Sequence, residues 1–443
     1  MTMLTNISGF PEFLPRDQLA FNKVLELIKT QFELYGFIPL DTPAVERVST
    51  LISKGNDNEI YAIHRLAHAH GCKKKDLALR FDLTVPLARY VAQHYGQLTF
   101  PYRRYHIAPV WRGERAQSGR YRQFYQCDID VIGDGELSLA YDAETLSIIY
   151  HVFKTIGIKN FVIYTNHYLL LTGLIKSFDI QESLIPCVMR TLDKAEKISQ
   201  DALVGELKGH GMNQNNIDVL TCLIKNSLTN EELFQYLLGI CSNTDFLKGV
   251  CELKEVLKLL QNFGVKDSYI RIHPTLARGL NYYTGTIAET KLLDFPELGS
   301  VCGGGRYADL AGSFSNKTLP GVGFSIGISR LIPKLIQSGM ICANQETPAI
   351  VLITVQNYKF ISYYIEISKT LRTQGINTEI YLEQKSLGSQ LKYAHKKGIR
   401  FVIIANESEI FKQQIILRSL FDGNQWTLTM HQAIKLIKDA SEF

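Results

Sequence analysis

Four arginines, Arg112, Arg115, Arg120 and Arg122, fall within WRGERAQSGRYRQFYQ (residues 111–126), opposed there by Glu114 alone. A solvated loop could use lysine. Arginine instead offers a planar fork for the oxygens of a carboxylate or phosphate and a flat face for stacking. The stretch continues as RQFYQCDIDVIG, whose alternation reads as a strand with Gln126, Asp128 and Asp130 on one side and Cys127, Ile129 and Val131 on the other. LALRFDLTV alternates as well and reads as the second strand of a hairpin over about 61–85, with Asp82 and Thr84 on a shared face. Further on, LARGLNYYTGT joins Arg278 to the paired tyrosines Tyr282 and Tyr283. Taken singly, the acids read as an exposed sheet face, Arg112 as a surface ion pair and the tyrosines as core. Together they supply acids for an ammonium, arginines for phosphates and aromatic faces for stacking. Polar groups inside apolar strands are costly to bury unless a ligand satisfies them.

Other chemistries fit poorly. GVGFSIG has the spacing GxGxxxG, lies late in its domain and opens no βαβ unit, so it does not read as a dinucleotide site. No Walker pattern is present. His68, His70 and Cys72 alternate in HRLAHAHGCKKKD, but no second ligand cluster accompanies them, and the segment reads as an exposed hairpin tip. No serine or cysteine has the context of an activated nucleophile. The eight cysteines include no CxxC pair and read as free thiols of a reducing compartment. A net charge of +5 permits a polyanionic partner without requiring one. The chain starts without the charged-then-apolar pattern of a leader and has no apolar run long enough for a bilayer, so a cytoplasmic protein without a membrane partner is expected.

Several elements must position these residues. RDQLAFNKVLELIKTQFELYGF reads as an amphipathic helix ending at Gly36; YRRYHIAPVWR and RQFYQCDIDVIG read as two long strands around GERAQSGRY; a helix and the strand NFVIYT follow. From about 178 to 262 the texture turns to helical Lys, Leu, Asn and Ser, as in an inserted domain. Strand and glycine patterns return until GVGFSIGISRLIPKLI, which passes from strand to helix near Gly327 with Arg330 in the first turn. After QETP, strands and helices alternate, as in a small, mostly parallel α/β domain whose second helix is basic. The expected domains are 1–177 and 263–340 as two parts of one catalytic domain, 178–262 as the insertion, and 346–443.

At these residues the chain resembles class II aminoacyl-tRNA synthetases, and among them the histidyl-tRNA synthetase family. YGFIPLDTPAVE looks like the first class motif, a dimerisation segment; WRGE with GRYRQFYQCDIDVIG looks like the second; GVGFSIGISRL looks like the third. LARGLNYYTGT and GGGRYADLAG look like the two peptides that mark the histidine enzymes, and KSLGSQLKYAHKKGIRFVII is similar to their anticodon-binding domain. The resemblance implies an α/β protein: an α+β catalytic domain on a mixed, mainly antiparallel six- or seven-stranded sheet, and a C-terminal domain on a mostly parallel five-stranded sheet. It implies activation of histidine by ATP, with magnesium on the phosphates, then transfer to tRNA(His) by a homodimer.

By the same resemblance, Arg112 and Arg278 flank the α-phosphate, Glu114 reads the adenine amino group, and Phe124 and Arg330 sandwich the ring. Arg330 and Arg120 hold the outer phosphates; Asp82, Thr84 and Gln126 take the ammonium. Asp130 and Tyr283 grip the imidazole, in a pocket lined by Tyr282. Three positions depart from the family pattern: Asn281 for an aspartate, Cys302 for a small residue and Ala308 for an acid. A non-catalytic relative, such as a regulatory subunit of ATP phosphoribosyltransferase, shares the catalytic scaffold, but Arg278, the tyrosine pair and the last domain argue against it.

Overall fold

Ten-residue strands on both sides of the arginine segment set the centre of the fold. In the computed structural model of the chain, β5 (Tyr102–Trp111) and β6 (Gln123–Ile132) form a long antiparallel hairpin. They belong to an eight-stranded sheet in the order β1 (Ile38–Pro39), β5, β6, β11 (Gly321–Gly327), β10 (Ser300–Tyr307), β9 (Tyr283–Leu292), β7 (Phe161–His167), β8 (Ile270–Ile272). The ladders from β5 through β7 are antiparallel; the short edge strands β1 and β8 add parallel pairings. These edges carry the sheet beyond the six or seven strands expected. The structure describes residues 5–52, 59–65, 76–115, 120–278, 283–309, 311–312 and 314–441. It divides into two units, Met1–Pro11 with Val24–Leu335 and Glu12–Lys23 with Ile336–Phe443.

The alternation on β6 is realised: Cys127, Ile129 and Val131 are fully buried on one side. On that side α4 (Ala140–Ile156) lies behind the sheet, contacting β6 and β11. Arg306 on β10 reaches back to α4 and holds the fully buried Asp142 with Nε at 3.0 Å and Nη2 at 2.7 Å. After α5 (Tyr168–Lys176) come α6 (Ile185–Asp193), α7 (Gln200–Gly209), α8 (Gln214–Ile224), α9 (Asn230–Ile240) and α10 (Thr244–Asn262). Ser199, Asn213, Thr229 and Asn243 cap the last four by accepting from backbone N–H groups, which explains the Ser and Asn content of this segment. α10 packs on α4 and α5.

One expected strand is corrected. β2 (Val45–Arg47), β4 (Leu77–Leu79) and β3 (Ala62–Ile63) form a small antiparallel sheet, and β4 stops at Leu79. Asp82 accepts from the Val85 N–H at 3.0 Å, and Thr84 is the first residue of α3 (Thr84–His94). An aspartate that can satisfy a free N–H of a helix start ends the strand where alternation alone would extend it.

In the second unit β13 (Thr378–Ile380), β12 (Val351–Ile353), β14 (Phe401–Ile404), β15 (Ile415–Ser419) and β16 (Gln425–Leu428) form one sheet in that order. It was expected to be mostly parallel; it is parallel across the first three strands and antiparallel across the last two pairings. The short connection from β15 to β16 allows only a hairpin, which must be antiparallel. Helix α12 (Ile361–Thr373) buries Tyr364, Ile367 and Leu371 in the core of this sheet, while α13 (Leu387–Lys397) exposes Lys392 and Lys396.

Candidate active site

The front of the large sheet is built by register. Across β5, β6 and β11, Arg104, Asp130 and Gly323 are partners, then His106, Asp128 and Ser325, then Ala108, Gln126 and Gly327. Gly303 on β10 lies beside Ser325, and Gly305 beside Gly323. The middle strands therefore present glycines and a serine where side chains would stand. Over this bare floor lies a cavity of about 540 Å³, walled by Asp82, Thr84, Arg112, Glu114, Arg120, Gln126, Asp128, Asp130, Arg278, Tyr283 and Arg330. A smaller one of about 250 Å³ shares Arg112, Gln126, Arg278 and Arg330 and adds Phe124. A third, about 650 Å³, continues past Arg120 and Arg330 toward Asp193 and Lys197.

Each wall residue is held. Arg112 donates through Nε to the Phe81 carbonyl at 3.0 Å, which ties the Asp82 segment to the hairpin, and its Cζ lies 5.0 Å from the Phe124 ring centre. Arg120 lies 3.6 Å from Glu114, and Arg330 donates to the Leu298 carbonyl at 2.8 Å. Arg122, the last arginine of the segment, serves the hairpin itself by donating to the Glu114 carbonyl at 3.0 Å. Arg115 is exposed. Arg278 donates to Glu289 at 2.5 Å with its Cζ 5.9 Å from the Tyr283 ring centre, and it lies flat on Gly303, where a Cβ would come within 2.9 Å of that Cζ.

At the deep end, Asp130 is gripped from two sides: Arg104 Nη2 lies 2.6 Å from Oδ2, and the Tyr307 hydroxyl donates to Oδ1 at 3.0 Å. Burial raises Asp130 to about 6 against the pull of Arg104 and Tyr307. Asp128 beside it is raised to about 7, again chiefly by burial, with Arg104 opposing. His106 faces Asp41 through Nε2 at 3.2 Å; burial and then Arg104 hold its ring down to about 3, so it is neutral.

The cavity thus gathers Arg112, Glu114, Arg120, Gln126, Asp82, Thr84, Asp130, Arg278, Tyr283 and Arg330, and Phe124 lines the smaller cavity that shares several of them. Tyr282 and Asn281 lie outside the described residues, as do His68, His70 and Cys72. Cys302 is a buried thiol that pairs in register with Ile326 on the Cys127 side of the sheet and borders the smaller cavity, whereas Ala308 is exposed and lines neither cavity. Sequence reasoning left out Arg104, Tyr307, Glu289 and Gly303. The first could have been suspected from two charged residues inside the apolar run YRRYHIAPVW; the others become visible only through register.

A mainly antiparallel sheet carrying arginines over a glycine-lined cavity is the catalytic scaffold of the class II aminoacyl-tRNA synthetases. A family model described as histidyl-tRNA synthetase matches residues 9–331, and one described as anticodon binding domain matches residues 349–440. A histidine–tRNA ligase from Clostridium tetani is 42% identical over 435 residues, covering 98% of each chain. The crystal structure of histidyl-tRNA synthetase from Nostoc sp. PCC 7120 superposes with a TM-score of 0.89 at 38% identity, over 99% of this chain and 100% of that one. A Bacillus halodurans structure titled as an ATP phosphoribosyltransferase regulatory subunit/histidyl-tRNA synthetase shares the fold alone, at TM-score 0.72 and 20% identity over 88% of this chain and 96% of that one. The chain belongs to the histidyl-tRNA synthetase family and is an enzyme of the ligase class. Among the described residues no helix is long and apolar enough to cross a membrane.

Proposed function

We propose that this cavity activates L-histidine with ATP and passes the histidyl group to the terminal adenosine of tRNA(His). A carboxylate oxygen of histidine attacks the α-phosphorus and pyrophosphate leaves; the terminal ribose hydroxyl then attacks the adenylate carbonyl and AMP leaves. Neither step needs a covalent protein intermediate. Alignment and stabilisation of growing negative charge suffice, and rigid guanidinium groups supply both. In our reading Arg112 and Arg278 flank the α-phosphate, and Glu289 keeps Arg278 aimed. Glu114 and Phe124 take the adenine with Arg330, and Arg120 meets the outer phosphates. Asp82, Thr84 and Gln126 receive the ammonium. Asp130 and Tyr283 receive the imidazole, with Tyr282 beside them. An ionised carboxylate rewards the ring N–H and is left unpaired by an amino acid lacking it.

The observation that carries this reading is that Arg112, Gln126, Asp130, Arg278 and Tyr283, distant in sequence, line one cavity. Among the described residues no group of three or more His, Cys, Asp or Glu side chains could hold a metal ion, so magnesium fits here as the counter-ion carried on the nucleotide phosphates, whose charge it would offset. Contact with tRNA is supported by the anticodon-binding match and by the exposed Lys385, Lys392, Lys396 and Arg400. We read residues 178–262 as an insertion within the catalytic domain, and the protein as a cytoplasmic homodimer; exposed Leu34 and Ile38 suit a covered face. The test is histidine-dependent exchange of pyrophosphate into ATP. Exchange should need histidine and collapse in Arg278→Ala, and Asp130→Ala should raise the histidine KM far more than the ATP KM. Exchange supported equally by other amino acids would reject the reading.

A further inference from the structure

One acid on the cavity face has no task in this scheme. Asp128 sits between Gln126 and Asp130 on β6, 2% exposed, and its Oδ1 has no hydrogen-bond partner among the described residues. Other buried acids of the first unit are matched: Asp130 by Arg104, Asp142 by Arg306 and Glu46 by Arg89. Across the ladders Asp128 faces His106 and Ser325; the Ser325 side chain hydrogen-bonds the carboxylate, and Oδ1 is the oxygen left unmet. His106 is neutral and turned to Asp41, so it brings no charge. The Ser325 Oγ accepts from Gln126 Nε2 at 2.7 Å, which leaves Gln126 Oε1 without a donor as well.

Two buried acceptor atoms thus face one cavity with no donor among the described residues. A buried unpaired acceptor is destabilising, the more so when charged, and a ligand donor removes that cost. Asp82, Asp128 and Asp130 act on one another electrostatically; Arg104 acts on the latter two, and Arg80, which acts on Asp128 as well, is shared with Asp41 and Glu46, so the three acids outnumber the cations given to them. The donor that completes the group should therefore be positive. Spacing locates it: alternate residues of a strand are ~7 Å apart, whereas an amino acid of histidine's size separates its α-nitrogen from its ring by only ~4–5 Å. With the ring at Asp130, the α-nitrogen falls beside Asp128 before it reaches Gln126.

We propose that Asp128 is a substrate-binding carboxylate that accepts a hydrogen bond from the α-ammonium of the bound amino acid, sharing it with Gln126 and Asp82. The proposal rests on the reading of this cavity as the histidine site. It is tested in pyrophosphate exchange by wild type and Asp128→Asn, with two inhibitors: L-histidinol, which keeps ring and ammonium, and imidazolepropionate, which keeps ring and carboxylate. A charge-assisted hydrogen bond predicts a histidine KM raised about 10- to 100-fold, an equal loss for histidinol, and values for imidazolepropionate and ATP within about twofold of wild type. The melting temperature should hold or rise, since the variant buries no charge.

Equal weakening of both inhibitors would assign Asp128 to the ring instead and overturn the proposal. So would an unchanged histidine KM, or a loss that moves the ATP KM and the melting temperature together. Wild type that shows no histidine-dependent exchange would reject the site reading and the proposal with it. Normal wild type with an unaltered Asp128→Asn rejects the proposal alone.

Discussion

Gly303→Ala isolates the placement of Arg278 from the stability of the fold. A Cβ at this position would lie 2.9 Å from the Arg278 Cζ and 3.1 Å from Nη2, and nearer still to Nη1. Comfortable contact begins at about 3.5 Å, so the guanidinium must retreat by up to roughly 1.2 Å or swing aside. The atoms in the way are the far end of a flexible side chain, so the fold should accommodate the methyl group, with a stability change within about 1 kcal/mol. Catalysis should not. The retreat pulls Nη1 off Glu289, now 2.5 Å away, and misplaces the cation that the proposed function sets beside the α-phosphate. Displacements near 1 Å at such a group cost about 10²-fold. Exchange kinetics should therefore show kcat lowered about 100-fold with the histidine and ATP KM values little changed, alongside an unaltered thermal melt. Exchange within threefold of wild type would refute the claim that Arg278 acts from its bed on Gly303; a large drop in melting temperature would refute the claim that the cost falls on function alone.

Two further perturbations test the electrostatics beneath the cavity. Arg104→Met strips the buried partner from Asp130, and breaking such a pair typically costs 3–5 kcal/mol, to be read from urea unfolding at pH 8, with part of the loss restored by adding Asp130→Asn; a change below about 1 kcal/mol would contradict the pairing. Asp128 is raised to about 7, so between the ordinary carboxylate range and pH 7 the folded state holds more protons than the unfolded one, and stability falls as pH rises through that window. Asp128→Asn should flatten this slope and gain on wild type from pH 5 to pH 8, by at most about 4 kcal/mol; a variant that loses ground as pH rises would reverse the sign.

The candidate site was legible wherever chemistry and period coincided. Period-two alternation in QCDIDV put Gln126 and Asp130 on one face before any pairing was known, and the choice of arginine over lysine in 111–126 pointed to oxyanions. It did not distinguish among the arginines: Arg112 and Arg120 reach the cavity, whereas Arg122 is spent on a backbone carbonyl. Asp82 and Thr84 were grouped correctly for a wrong reason, because alternation cannot see that an aspartate starts a helix there. In the second unit, strand and helix order was readable, but the antiparallel pairing of β15 with β16 depended on a short hairpin rather than on composition.

Sequence by itself determined which chemistries were available: guanidinium groups, carboxylates and rings on strands, with no nucleophile elbow and no phosphate loop. Those are local properties, carried by residue type and period. The tertiary structure alone decided that Gly303, Gly305, Gly323, Ser325 and Gly327 lie side by side and leave an open floor, that Arg104 and Tyr307 brace Asp130, and that Asp128 Oδ1 meets no donor among the described residues. Cross-strand register brings together residues up to two hundred positions apart, and no local pattern encodes a distance between segments that far removed.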